Sequence, residues 1–187
     1  MEIILASASP RRRELMALIT PEFRVETSDV DERLLTAPTP AALAQTLAAA
    51  KCAAVAAAHP DAAVLGCDTV VDVDGAVLGK PADRADARRM LQLLRGRTHQ
   101  VHTGVCVRCG ARCESGAETT AVTFCNFSDA ELEAYLATDE PYDKAGAYGI
   151  QGGAARFVTG ICGCYFNVMG LPVSRVYHLL KTLGALD

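Results

Sequence analysis

The chain has no excess of positive charge: 18 Lys and Arg stand against 22 Asp and Glu, a formal net charge of −4. A basic field over the whole protein, of the kind that holds nucleic acid, is therefore excluded, and any cationic cluster must act locally. An apolar run of membrane-spanning length is also missing. The alanine-rich stretch from Ala41 to Ala58 contains Gln45 and Lys51 and reads as a soluble helix. No secretory signal is expected, because Met1-Glu2 precedes only a short apolar run with no cleavage pattern. Internal repeats, low-complexity tracts and linkers are lacking too. What is there is 50% apolar residues in 187 positions. That is enough for a substantial core and most economically one domain over residues 1–187, in the cytoplasm, with neither nucleic acid nor membrane as partner.

Eight cysteines in a chain without a signal read as reduced thiols. Cys106, Cys109 and Cys113 make a C-x2-C-x3-C cluster with Cys125 further on. No clean second C-x2-C exists, so ordinary thiols are favoured over a structural zinc. Cys162 and Cys164 would share a face if both lay in a strand.

Strand and helix signals alternate. Ile3–Leu5 reads as a strand and Ser9–Ile19 as a helix. Phe23–Glu26 reads as a strand, followed by an acidic loop. Pro40–Ala58 reads as a helix that His59-Pro60 stops. Ala63–Gly66 reads as a buried strand, with Asp68–Val73 continuing extended to a hairpin at Asp74-Gly75. Arg84–Leu94 is an amphipathic helix. Gln100–Arg108 and Glu118–Phe127 are strand-like and joined around Gly110. Asp129–Thr138 is a helix capped by Ser128. Asp139–Gly153 is a glycine-rich polar loop, Phe166–Met169 a short strand, and Pro172–Leu183 a closing helix that starts near Val173. The pattern is α/β with a mixed sheet, since hairpins are antiparallel and strand–helix joints favour parallel neighbours.

Several blocks carry chemistry. Ile3-Ile4-Leu5 ends at Ser7-Ala8-Ser9-Pro10, and an apolar-periodic segment follows. Ser9 suits the N-cap and Pro10 the first helical position. Such a joint aims free backbone N–H groups and a positive helix end at a ligand. Arg11, Arg12 and Arg13 oppose the helix dipole there, so helix stability does not explain them, whereas a polyanion such as a triphosphate does. Asp68 stands after Val64-Leu65-Gly66-Cys67, where α/β folds place ligands, and is read as a metal ligand or a base for water. Asp31-Glu32, with Asp68, could hold Mg²⁺ or Mn²⁺. Lys80, in the rigid turn Gly79-Lys80-Pro81, suits a phosphate. Lys51 is a lone cation in its helix and can equally be snorkelling. His99 and His102 fall on opposite faces of a strand, which argues against a shared metal. Asp143-Lys144-Ala145-Gly146-Ala147-Tyr148-Gly149-Ile150-Gln151-Gly152 sets an acid, a base, a phenol and an amide among glycines. Glycine allows close backbone approach to a ligand, and Gln151 offers both a donor and an acceptor to a base edge.

Taken together, these blocks resemble the Maf family of nucleoside triphosphate pyrophosphatases almost end to end. The match runs through Ser7-x-Ser9-x-Arg11-Arg12-x-x-Leu15, Val30-Asp31-Glu32, Lys51, Asp68-Thr69-Val70-Val71 and Gly79-Lys80-Pro81. It continues in His99-x-Val101-x-Thr103-Gly104-Val105, the 143–152 block, and Asn167-Val168-Met169-Gly170-Leu171-Pro172. Met16 replaces a usual second leucine, Arg13 is extra to the motif, and the cysteine hairpin is idiosyncratic. The resemblance implies an inosine-triphosphatase-like fold: an elongated mixed sheet flanked by helices, with two lobes and a central cleft. It implies a cytoplasmic, homodimeric enzyme that hydrolyses a nucleoside triphosphate to the monophosphate and pyrophosphate with a divalent metal. Asp68 takes the place of the family's base. Arg11, Thr69 and Gln151 occupy the positions of base preference and look like the branch acting on dTTP and UTP. A purine-type substrate, or a nucleotide-binding role in septum formation, is the alternative. Ser7, Ser9, Arg12, Lys51 and Lys80 are expected at phosphate, Glu32 and Asp68 at the metal, and Asp143 and Lys144 elsewhere in the site.

Overall fold

The computed structural model describes residues 1–186. Thirteen elements follow in order: β1 (Ile3–Ala6), α1 (Pro10–Ala17), β2 (Arg24–Val25), α2 (Pro40–Ala56), β3 (Ala63–Val73), β4 (Ala76–Leu78), α3 (Arg84–Leu94), β5 (Thr98–Cys109), β6 (Arg112–Phe124), α4 (Asp129–Leu136), β7 (Val158–Cys162), α5 (Tyr165–Met169) and α6 (Val173–Thr182), with short 3-10 turns between some of them. The seven strands form one sheet in the order β2-β1-β3-β5-β6-β7, and β4 adds to β3. β1 runs parallel to β2 and β3, and the other pairs are antiparallel.

Most elements lie where the residue pattern placed them. Ser9 caps α1, accepting from Arg12 N, with Pro10 at the first helical position. Ser128 caps α4 in a reciprocal capping box with Glu131. Ala63–Gly66 and Asp68–Val73 are one continuous strand that turns at Asp74-Gly75 into β4. One expectation fails, and one strand arises where none was expected. Phe166–Met169 is not a strand but lies in the helix α5, and Val158–Cys162 is a strand with no strong signal of its own. A cap and two distant bonds decide the first: Gly170 at φ 115 closes α5 in the left-handed region, and the Asn167 side chain donates to Val101 O and Thr120 Oγ1 instead of joining a ladder.

β3 organises the molecule. Its side chains alternate between faces. On one face, Leu65 and Cys67 join a core with Leu15, Met16, Val176 and Leu180 from α1 and α6, while Val71 and Val73 join a second core with Leu91, Leu94, Leu132, Phe124 and Phe157. The opposite face is covered by α2, with Ala48, Cys52 and Val55 packed on Val64 and Cys106. α2 rests on glycine: a Cβ added at Gly66 would lie 2.2 Å from Ala48 O, and one at Gly104 would lie 2.1 Å from Ala44 O.

One edge of β3 is split. β1 pairs with Ala63 through Gly66, and β4 with Val71 through Val73. Residues 67–70 therefore have no strand partner on that side, although β5 pairs with them on the other. The split falls between the two cores, so the sheet leaves an opening where the lobes part.

A candidate active site at the split strand edge

Asp68 and Thr69 occupy that opening, and a cleft of about 710 Å³ surrounds them, within the ~300–1,000 Å³ common for small-molecule sites. The chain reaches it from both sides. The end of β1 delivers Ser7, Ser9, Arg11 and Arg12, and the end of β4 delivers Lys80; α2 brings Lys51, and the loop beyond α4 brings Asp143, Lys144 and Gln151. Of the residues singled out from sequence, Ser7, Ser9, Glu32, Thr69 and the others named here line this one cleft, whereas Arg13 and Asp31 do not. Six basic side chains, Arg11, Arg12, Arg33, Lys51, Lys80 and Lys144, face three carboxylates, Glu32, Asp68 and Asp143. A chain of net charge −4 thus carries a locally cationic cleft, which suits a polyanion.

Arg12 is fixed in three directions. Its Nε donates to Gly170 O at 2.8 Å, and its terminal nitrogens donate to Ser7 Oγ and Thr69 Oγ1, each at 3.1 Å. A guanidinium has five N–H groups, so two remain for a ligand. Lys51 does not snorkel: its Nζ lies 2.5 Å from Asp68 Oδ1 and 2.6 Å from Glu32 Oε1. Asp31 is turned away, with both carboxylate oxygens on Arg33 at 2.9 Å, so the acidic pair splits and only Glu32 joins Asp68. Arg13 is exposed.

Across the cleft, Arg11 meets Asp143 at 3.4 Å, and Lys144 donates to Asp143 Oδ1 at 2.6 Å. Burial would raise the Asp143 carboxyl, but the Lys144 ammonium and then Arg11 outweigh it and hold it below the usual range. Gln151 is exposed at the rim, on a loop braced from behind. Glu140, which sequence reasoning did not single out, accepts from Tyr135 OH at 2.9 Å and Gly153 N at 2.7 Å, and Gly149 N donates to Tyr135 OH at 3.4 Å. The glycines here are also required by packing. A Cβ at Gly152 would lie 2.5 Å from the Glu140 carboxylate, and one at Gly149 would lie 2.9 Å from Lys144 Cε. They make room for the brace.

His99 and His102 do point apart. His99 Nε2 meets Tyr148 OH at 2.7 Å, while His102 meets Thr119 Oγ1 at 2.8 Å. Burial pushes the His99 imidazole down to about 4, so it is neutral at pH 7. The cysteine cluster also divides. Cys106 and Cys113 sulfurs lie 3.5 Å apart, while Cys109 packs beside the core under α1 and α6. Cys164 leaves β7 at Gly163, φ 129, and caps α5, so it does not share a strand face with Cys162. Among the described residues no group of three or more His, Cys, Asp or Glu side chains is assembled for a metal ion. No helix among the described residues is long and apolar enough to cross a membrane.

Residues 2–183 match the family model described as Maf-like protein. The chain is 52% identical over 187 residues to a dTTP/UTP pyrophosphatase of Koribacter versatilis, covering 100% of this chain and 96% of that one. It is 52% identical over 185 residues to one of Moorella thermoacetica, covering 98% and 95%. Among solved structures, the Staphylococcus aureus Ham1 protein superposes with a TM-score of 0.59 at 16% identity, covering 98% of this chain and 100% of that one. A HAM1 protein from Coxiella burnetii gives 0.56 at 12% identity, covering 99% and 98%. At such low identity these two speak for the fold alone, the elongated mixed sheet with flanking helices.

Proposed function

This chain belongs to the Maf family, and on that premise we propose that it is a nucleoside triphosphate pyrophosphatase acting on dTTP and UTP, releasing the monophosphate and pyrophosphate. The observation that carries the reading is the cationic cleft at the split edge of β3, where the Asp68 carboxylate lies against the Lys51 ammonium beside the anchored Arg12. The substrate pair is that of the relatives at 52% identity. A single domain over residues 1–187, a homodimer and a cytoplasmic location complete the proposal.

In this reading water attacks the α-phosphorus, Asp68 accepts its proton, and the bond to pyrophosphate breaks. Lys51 binds Asp68 Oδ1, which orients the carboxylate and leaves Oδ2 for the water. Charge grows on the leaving group, so fixed cations and dipoles there lower the barrier. Arg12, Lys80, Ser7, Ser9 and the N-terminus of α1 surround that space. The residues present also fit a divalent cation. Glu32 and Asp68 converge on the single ammonium of Lys51, and nucleotide-bound Mg²⁺ takes one or two carboxylates, the rest of its shell coming from phosphate and water. Glu32 and Asp68 would hold Mg²⁺ or Mn²⁺, which neutralises charge on the phosphate oxygens when bound. Asp143 and Lys144 close the far wall. Arg11, Thr69 and Gln151 face the base, and Gln151 with Thr69 matches the O4 and N3–H edge of uracil or thymine. Cytosine reverses that donor and acceptor pattern and leaves the Gln151 and Thr69 groups that it covers unpaired.

Pyrophosphate release from a panel of nucleoside triphosphates, with Mg²⁺ or Mn²⁺, tests the proposal. Wild type is expected to prefer dTTP and UTP, and Asp68→Asn to lose roughly 10²–10⁴ in turnover while still binding nucleotide. Near-normal turnover in Asp68→Asn refutes the base, and preference for a purine refutes the pocket.

A further inference from the structure

Thr69 and Thr103 stand opposite one another in the β3–β5 register, on the face that carries the two cores and in the interval between them. Thr69 lines the cleft, whereas Thr103 is fully buried and does not. Their hydroxyl oxygens lie 2.9 Å apart, and geometry alone leaves the donor open. The neighbours settle it. Thr103 Oγ1 lies 2.9 Å from the main-chain carbonyl of Asn167, which can only accept, so the single Thr103 proton goes there. Thr69 must then donate to Thr103. The Thr69 oxygen also accepts from Arg12 at 3.1 Å, which leaves it one lone pair and no proton. The far end of this relay is itself held. The Asn167 side chain donates to Val101 O at 3.0 Å and to Thr120 Oγ1 at 2.9 Å, and Thr120 Oγ1 donates to Cys164 O at 3.1 Å.

We propose that Thr103 is a positioning residue for base selection: with the Asn167 carbonyl it holds the Thr69 proton away from the cleft, so that Thr69 meets the nucleotide only as an acceptor. The partner that chemistry selects is a base with a ring N–H, as N3 of uracil and thymine has. Cytosine presents a bare N3 there, lone pair against lone pair. This rests on the pyrimidine reading of the cleft given above.

The test is kcat/KM for UTP and for CTP in wild type, Thr103→Val, Thr103→Ser and Thr69→Val, with a thermal melt of each. Thr103→Val keeps the volume but frees the Thr69 hydroxyl to rotate and donate, so the UTP/CTP ratio should fall roughly tenfold, the value of one hydrogen bond. Thr103→Ser restores the acceptor and should restore the ratio. Thr103→Ala gives the same prediction if the valine variant does not fold. An equal loss on both nucleotides, or a ratio that serine fails to rescue, overturns the proposal. If Thr69→Val shifts the ratio and Thr103→Val does not, only this inference falls. If Thr69→Val leaves the ratio unchanged, Thr69 does not face the base, and this inference falls with that part of the pyrimidine reading.

Discussion

Gly104→Ala should damage this protein through a helix that never touches substrate at that point. Gly104 lies opposite Asp68 in the sheet, and its missing side chain lets α2 sit directly on β5. A methyl group there would fall 2.1 Å from Ala44 O and 2.5 Å from Gln45 N. Ordinary C···O approach is about 3.3 Å, so α2 must withdraw by about 1 Å, and the opposing atoms are backbone that cannot rotate aside. Overpacking of this kind costs about 1–3 kcal/mol, and rigid backbone on both sides argues for the upper end. For a domain of this size that is roughly 6–12 °C in Tm. α2 also carries Lys51, whose 2.5 Å contact orients Asp68, and a displacement near 1 Å at such a site can cost up to about 10² in rate. The assay is a thermal melt with pyrophosphate release measured well below the transition. Gly160→Ala is the control, because nothing lies within 4 Å of a Cβ there. A Gly104→Ala protein melting within about 2 °C of wild type would show that α2 is not seated as rigidly as described.

Other outcomes follow from the same geometry. Burial lowers the His99 pKa from 6.5 to about 4, so the unfolded chain binds the extra proton first. The stability due to neutral His99 is complete above about pH 6.5 and is lost as pH falls toward about 4, worth about 3 kcal/mol. Urea titrations across pH 4–7 should show that acid slope in wild type and a flatter one in His99→Gln. Glu140→Ala removes the acceptor shared by Tyr135 OH and Gly153 N, so the Gln151 loop should become susceptible to limited proteolysis and kcat/KM on dTTP should fall roughly tenfold. Glu140→Gln, which keeps one acceptor oxygen, is expected between that variant and wild type. Equal protease resistance in all three proteins would contradict the brace.

Much of the site was readable because its chemistry is local in the chain. The joint at Ser9-Pro10 needs only a capping hydroxyl and a fixed φ, so α1 begins where those residues say it does. Asp68 was conspicuous because a carboxylate after a buried run has few structural reasons to be there. The failures came where distant partners decide. Tyr165–Met169 has strand-like residues, but Gly170 and the burial of Asn167 between β5 and β6 wind it into a helix. Val158–Cys162 becomes a strand because the edge of β6 is available to it. Glu140 carries no such signal, because an acidic residue before a proline looks like solvated loop, and the three partners of its carboxylate, Tyr135, Gly153 and Ala154, lie between 5 and 14 residues away.

The order of motifs, the cationic joint, the long central strands and the capped helices are properties of neighbouring residues, and the sequence by itself determined them. Steric and hydrogen-bond preferences at that range do not depend on the rest of the fold. The convergence of Lys51, Glu32 and Asp68, the anchoring of Arg12 on Gly170, and the direction of the Thr69 proton were decided only in three dimensions. Each depends on groups brought together by the split edge of β3 and by the glycine contacts that seat α2, and a hydrogen bond between residues 158 positions apart, as from Arg12 to Gly170, leaves no local trace in the chain.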